Sequence, residues 1–155
     1  MKKNIKSTIH KDCIKWKGSG KCIVFTNGCF DLLHKGHTDL LMASAKFGDI
    51  LIVGLNSDIS VKMLKGEGRP IQPESIRSDA LIKTGLVSRV YLFDDETPLN
   101  LIKIIKPDIL VKGGDYLPDE VVGKSEVTEW GGKVKIVPLT PGYSTTKTIQ
   151  KMNRQ

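Results

Sequence analysis

Apolar positions along the chain fall into strand-length runs separated by stretches at helical spacing. Residues 22–26 form a buried-strand run; Asn27-Gly28, a turn signal, follows, and then Leu32, Leu33, Leu40, Leu41 and Ala45 recur at near-helical intervals. The unit repeats. Residues 50–55 read as strand and 76–86 as helix; 87–93 as strand and 98–105 as helix, with Pro98 in its first turn. Residues 108–111 and 134–137 read as further strands, 118–129 and 145–152 as further helices. Strands alternating with helices make βαβ units with right-handed crossovers. The expected fold class is therefore α/β, a single doubly wound parallel sheet of about five strands with helices on both faces, and ligands in such sheets bind beyond the carboxyl ends of the strands where strand order reverses. Residues 1–20, polar, basic and ending in Gly18-Ser19-Gly20, read as an arm or short helix leading into a domain over 21–155.

Composition narrows this little. A chain of 155 residues with 39% hydrophobic and 26% charged residues can bury one ordinary core without staples. Its longest apolar runs, Ile50-Leu51-Ile52-Val53 and Cys22-Ile23-Val24-Phe25, fall far short of the ~18 residues a spanning helix needs. No apolar stretch follows the basic start Met1-Lys2-Lys3 before Cys22, so the expected location is cytoplasmic, with no membrane partner. Cys13, Cys22 and Cys29 are odd in number and lack Cys-x-x-Cys spacing, and read as reduced thiols. The net charge of +7 favours an anionic partner, although the cations near both ends, including Lys147, Lys151 and Arg154, also fit solvated termini.

Gly18-Ser19-Gly20-Lys21 is a false lead. A phosphate-binding loop of the Gly-x-x-x-x-Gly-Lys-Ser/Thr kind needs Gly where Lys15 stands and Ser or Thr where Cys22 stands, and it follows a strand rather than preceding one. No Gly-x-Gly-x-x-Gly fingerprint follows the first strand either, which speaks against a dinucleotide enzyme. What does follow is His34-Lys35-Gly36-His37. An isolated pair of histidines is ordinarily core or surface, but this pair stands three apart at a helix start, where backbone N–H groups attract phosphate. Gly28 permits close backbone approach, and Gly36 removes a side chain between the rings. The pattern suits a polyphosphate cradle. A zinc site fits poorly, with Asp31 the one nearby carboxylate and no third His or Cys at ligand spacing.

Gly28-Cys29-Phe30-Asp31 together with His34-Lys35-Gly36-His37 resembles the signature of the cytidylyltransferase-like nucleotidyltransferases, which join a nucleoside triphosphate to a phosphorylated small molecule and release pyrophosphate. Further segments stand in the order found in one branch, the D-glycero-β-D-manno-heptose 1-phosphate adenylyltransferases that make ADP-heptose. These are Asn56-Ser57-Asp58, Leu64-Lys65-Gly66, Arg69-Pro70-Ile71, Arg77, Pro107-Asp108, Val111-Lys112-Gly113-Gly114-Asp115-Tyr116, Val122-Gly123 and Gly142-Tyr143-Ser144-Thr145-Thr146. The resemblance runs from about Lys21 to Met152 and implies a homodimer. It departs at Leu139-Thr140-Pro141-Gly142, where related cytidylyltransferases often carry an arginine. The heptose enzyme is often fused to a sugar kinase; no kinase segment is present here, so a stand-alone transferase is expected.

The chemistry assigns roles as follows. A phosphate monoester is already an anion near neutral pH, so the nucleophile needs no general base and the task is positioning and charge neutralisation. His34 and His37 are expected to be catalytic, hydrogen-bonding the triphosphate. Thr26, Asn27 and Gly28 would supply donors, Phe30 would pack beneath the loop, and Asp31 would orient it, with metal contact left open. Lys62, Lys65, Arg69 and Arg77 are candidates for phosphate, the lysines competing with a solvated helix face and the arginines favoured by the guanidinium fork. Lys112, Gly113, Gly114 and Asp115 would wall the sugar or base, or make a simple turn. Ser144, Thr145 and Thr146 would cap the last helix and bind the outer phosphates. Mg2+ is expected, held mainly by ATP phosphates. Two rival readings are a cytidylyltransferase for glycerol phosphate or a related polyol phosphate, and a basic non-catalytic module for nucleotide or nucleic acid. The latter lacks an aromatic-rich strand pattern, so no nucleic-acid partner is expected.

Overall fold

The computed structural model describes residues 3–153. In chain order its elements are α1 (Lys3–Gly18), β1 (Ile23–Gly28), α2 (Lys35–Ala45), β2 (Ile50–Asn56), α3 (Asp58–Lys65), α4 (Glu74–Lys83) and β3 (Arg89–Phe93). There follow α5 (Leu99–Ile105), β4 (Ile109–Gly113), a 3-10 turn (Pro118–Glu120), α6 (Lys124–Glu129), β5 (Lys133–Val137) and α7 (Thr145–Asn153). All strand pairs are parallel, in the order β3-β2-β1-β4-β5. Strand order reverses between β1 and β4, as the expected doubly wound topology requires.

β1 and β2 are buried on both sides over most of their length, which is why they read as continuous apolar runs, whereas the edge strands β3 and β5 are only partly buried. Successive residues serve opposite layers. Ile23, Phe25, Ile52 and Leu110 pack with Ile9 and Cys13 of α1, Leu101, Ile102 and Ile105 of α5 and Val127 of α6. Val24, Leu51, Val53, Leu55 and Val111 pack with Leu41 of α2, Leu81 of α4 and Phe30. The N-terminal segment is thus a full helix whose Ile9 is wholly buried, and Lys17 Nζ donates to the Lys106 carbonyl at 2.6 Å. Of the basic ends, Lys2 and Arg154 lie outside the described residues, as does the side chain of Lys147.

Several expected boundaries shift for physical reasons. Asn27-Gly28 does not turn but continues β1, paired with Gly54 and Leu55 of β2. The following helix starts at Lys35, later than the apolar spacing suggests, because Phe30 and Leu32 adopt left-handed backbone (φ 47° and 56°) that a right-handed helix cannot contain. A helix over 58–65 was not expected. It is short, with Ile59 and Met63 left exposed, and Ser57 caps it by accepting from Ser60 N at 3.2 Å. The helix expected over 118–129 is broken by Gly123 at φ 94°, where a Cβ would stand 2.9 Å from Ile102 Cδ1.

Candidate active site

The carboxyl ends of β1 to β4 and the N-termini of α2 and α7 enclose a cleft of about 580 Å³, within the size range of small-molecule sites. It lies over the β1–β4 reversal, with Gly28 and Lys112 on its floor.

At one wall stands the start of α2. His34 is its N-cap, and its Nδ1 accepts from Gly36 N at 3.1 Å; His37, three positions on, accepts from His34 N through its own Nδ1 at 3.3 Å. This is a capping box built from two imidazoles in place of the usual hydroxyl and carboxylate. The reciprocal bonds assign the tautomer, because an Nδ1 that accepts leaves the neutral ring's proton on Nε2. The rings stack with centroids 3.8 Å apart, and Tyr143 lies 6.2 Å beyond His34. Gly36 is required here, since a Cβ would fall 2.9 Å from His34 Cε1. Burial holds both rings below the usual histidine range, and His37, with the neighbouring His34 adding to the effect, falls to about 4. Both are neutral Nε2–H donors near neutral pH. His37 lines the cleft; His34 does not, and supports it from behind.

The loop before α2 is held by Asp31, whose carboxylate is fully buried. It accepts from Arg69 Nε (3.0 Å), Ile71 N (2.8 Å) and Gln72 N (3.0 Å), and its own carbonyl accepts from Thr145 Oγ1 at 2.8 Å. Asp31 thereby joins the α2 loop, the segment before α4 and the start of α7. Both of its oxygens are thus engaged within the protein. Among the described residues no group of three His, Cys, Asp or Glu is placed to hold a metal ion.

Around the cleft the expected residues divide. Asn27, Gly28, Lys65, Arg69, Lys112, Ser144, Thr145 and Thr146 line it with His37. Phe30 reaches the lining with its ring edge while packing in the core, 5.2 Å from the His37 ring and against Gly28. Arg69 offers its remaining nitrogens, and Lys112 Nζ rests 5.0 Å above the Tyr116 ring. The others stand off the cleft. Thr26 is buried and its hydroxyl donates to the Val111 carbonyl, tying β1 to β4 rather than serving a ligand. Lys62 is exposed and pairs with Glu67 at 3.4 Å. Gly113 packs against Leu40 of α2; Gly114 is buried, bonding Val137 through its N–H; Asp115 is exposed outside the cleft.

Arg77 corrects the expectation most sharply. It is wholly buried, and donates to the carbonyls of Gln72 (3.0 Å), Cys29 (2.7 Å) and Asn56 (2.8 Å) and to Asp58 Oδ1 (2.8 Å). It cannot touch phosphate. It is a strut that holds together the loops after β1 and β2 and the segment leading to α4. Cleft residues given no site role from sequence are Asn56, although its segment Asn56-Ser57-Asp58 stood among the motifs, and the loop after β3 with Glu96, Thr97 and Pro98. The rule that ligands gather at strand carboxyl ends could have found the latter.

A family model described as cytidylyltransferase-like matches residues 25–151. "Bifunctional protein HldE" of Koribacter versatilis is 53% identical over 137 residues, and that of Geobacter metallireducens 51% over 138, covering 88% and 89% of this chain. The chain spans 28% of the length of each of these curated relatives. Among solved structures, a lipopolysaccharide core biosynthesis protein from Thermoplasma volcanium superposes with a TM-score of 0.63 at 33% identity, covering 78% of this chain and 98% of that one. A pantoate-beta-alanine ligase from Francisella tularensis (TM-score 0.56, 16% identity, covering 94% of this chain and 77% of that one) shares the fold. With a matching model over most of its length and the paired histidines seated at the strand reversal, the chain belongs to the cytidylyltransferase-like family of nucleotidyltransferases.

Proposed function

We propose that this domain is an adenylyltransferase that joins ATP and D-glycero-β-D-manno-heptose 1-phosphate to give ADP-heptose and pyrophosphate. The carrying observation is the His34–His37 capping box at a helix N-terminus, opening onto a cleft lined by Lys65, Arg69 and Lys112. The heptose branch is favoured by the order of motifs over residues 21–152 and by the HldE relatives, whose C-terminal part is an ADP-heptose synthase domain.

In this reading a sugar-phosphate oxygen attacks the α-phosphorus of ATP. A new P–O bond forms, the bond to the bridging α–β oxygen breaks, and pyrophosphate leaves with that electron pair. The attacking phosphate is already an anion, so the protein moves no proton from it. Its work is to hold two polyanions together and to neutralise charge that grows on the transferring group. His37 Nε2–H donates to the α-phosphoryl oxygens, with His34 fixing its orientation. The amino end of α2 adds its dipole. Lys65 and Arg69 hold phosphate on the β2 side; Lys112 and Ser144–Thr146 on the β4 side hold the nucleotide. Magnesium enters with the triphosphate as part of the substrate.

Pyrophosphate release is the test, with ATP or CTP offered against heptose 1-phosphate or glycerol 3-phosphate. Release with ATP and heptose 1-phosphate is expected. Preference for CTP and glycerol 3-phosphate, or no release with any pair, overturns the proposal. A homodimer and a cytoplasmic location belong to the same reading; light scattering checks the first and cell fractionation the second.

A further inference from the structure

We propose that Glu96 reads the sugar, its carboxylate accepting hydrogen bonds from a pair of neighbouring hydroxyls on the acceptor substrate. The inference rests on the transferase reading above and goes beyond it in assigning one end of the cleft. Among the described residues Glu96 is the one carboxylate lining the cleft, whose other charged side chains are Lys65, Arg69 and Lys112. It is exposed, and makes no hydrogen bond or ion pair with any described residue.

A carboxylate accepts and never donates at neutral pH. Beside a phosphate it is repelled, so the part of the cleft it occupies is not where phosphate rests. What it can satisfy is a group rich in donors and free of charge, and its two oxygens match a pair of adjacent hydroxyls. The ATP ribose offers such a pair as well as the sugar, and position separates the two. Glu96 follows β3, the edge strand on the side of β2 away from β1, whereas Lys112 and Ser144–Thr146 lie beyond β4 on the other flank. A nucleotide whose phosphates run from α2 toward α7 leaves the β3 flank to the other substrate.

A second observation enlarges that end. Glu96 and Leu64 also line an adjoining hollow of about 220 Å³, shared with Ser60, Met63 and Asp94. Asp94 is exposed and likewise makes no hydrogen bond or ion pair with a described residue. The hollow gives room for the exocyclic carbons of a long sugar, and Asp94 supplies a further acceptor.

Glu96→Ala and Glu96→Gln in the full chain test this, since an exposed side chain can be changed without unfolding the domain. For Glu96→Ala the KM for heptose 1-phosphate should rise about 10-fold or more, with the KM for ATP within about twofold of wild type, as loss of hydrogen bonds to a charged group implies. Glu96→Gln should fall between. A lowered KM for the sugar phosphate would mean that Glu96 faces its phosphate; a raised KM for ATP would mean that it reads ribose or base; either result, or no change in either constant, overturns the assignment. The wild-type protein runs alongside. If it releases no pyrophosphate, the transferase reading has failed, and calorimetric titration of heptose 1-phosphate into wild type and Glu96→Ala still decides the inference. Weaker binding by the variant supports it, and equal binding, or binding by neither, sinks it.

Discussion

His37 ties folding and chemistry together, and its titration gives a quantitative test. The ring's ordinary value of 6.5 falls to about 4 in the folded protein, because burial disfavours the imidazolium and His34 stands against it. The unfolded ring therefore takes up a proton as pH falls through 6.5, while the folded ring resists until about 4. The stability from keeping it neutral is fully present above 6.5 and is lost as pH falls toward 4. At ~1.4 kcal/mol per tenfold change the gap is at most about 3 kcal/mol, and partial exposure of the ring brings it to about 1–2 kcal/mol. Urea melts at about pH 7.5 and about pH 4.5 measure it, with His37→Gln as the reference. Glutamine is a natural partner at this capping-box position and does not titrate, so the helix start survives while the proton linkage goes.

Wild type should lose about 1–2 kcal/mol more than His37→Gln between those pH values. Equal losses would show that the ring is not desolvated and would refute the neutral-donor assignment. Bound triphosphate favours the protonated ring, so saturating ATP should shrink the difference. For turnover, His37→Ala should lose about 100-fold or more in kcat, as removal of one donor to a developing oxyanion does elsewhere. A folded His37→Ala protein with near-native turnover would refute the catalytic role.

Two further outcomes concern Arg77 and Gly36. Arg77→Lys should lower stability by about 3 kcal/mol, because a single ammonium cannot serve three carbonyls and Asp58 at once. Thermal unfolding should show a fall of about 6–12 °C, and an unchanged melting temperature with a raised KM would restore the phosphate-binding role. Gly36→Ala should keep the melting temperature within a few degrees, since alanine suits a helix better than glycine, yet reduce kcat about 10-fold by pushing the His34 ring aside. Full activity would mean that the stacked geometry is dispensable.

What the chain discloses before folding depends on how local the cause is. The parallel sheet was legible because strands buried on both faces must be continuously apolar, as Cys22 to Phe25 and Ile50 to Val53 are. Apolar spacing alone would begin α2 at Leu32, whereas the histidine pair read at a helix start stands where α2 does begin. The left-handed backbone at Phe30 and Leu32 accompanies bonds from Asp31 to Arg69, Ile71 and Gln72, some forty residues away. The histidines were legible as a pair at a helix start, whereas their mutual cap depends on ring orientations that only the fold sets. Arg77 shows the limit of motif reading. A guanidinium in the right segment is visible in sequence, whereas its burial depends on acceptors at residues 29, 56, 58 and 72 that only the fold gathers.

In a cleft whose other charged side chains are Lys65, Arg69 and Lys112, the informative residue is Glu96, whose charge is opposite to the rest. Anion-binding groups can be guessed from composition because every phosphate needs them, so in the proposed reading Lys65, Arg69 and Lys112 suit phosphorylated substrates in general without distinguishing among them. The portion of the substrate that carries no phosphate calls for groups that phosphate would avoid, and in the proposed assignment these are the carboxylates that follow β3 at the edge of the sheet. Discrimination among sugar phosphates should therefore respond more strongly to changes after β3 than to changes at the capping box, which every substrate of this chemistry must use.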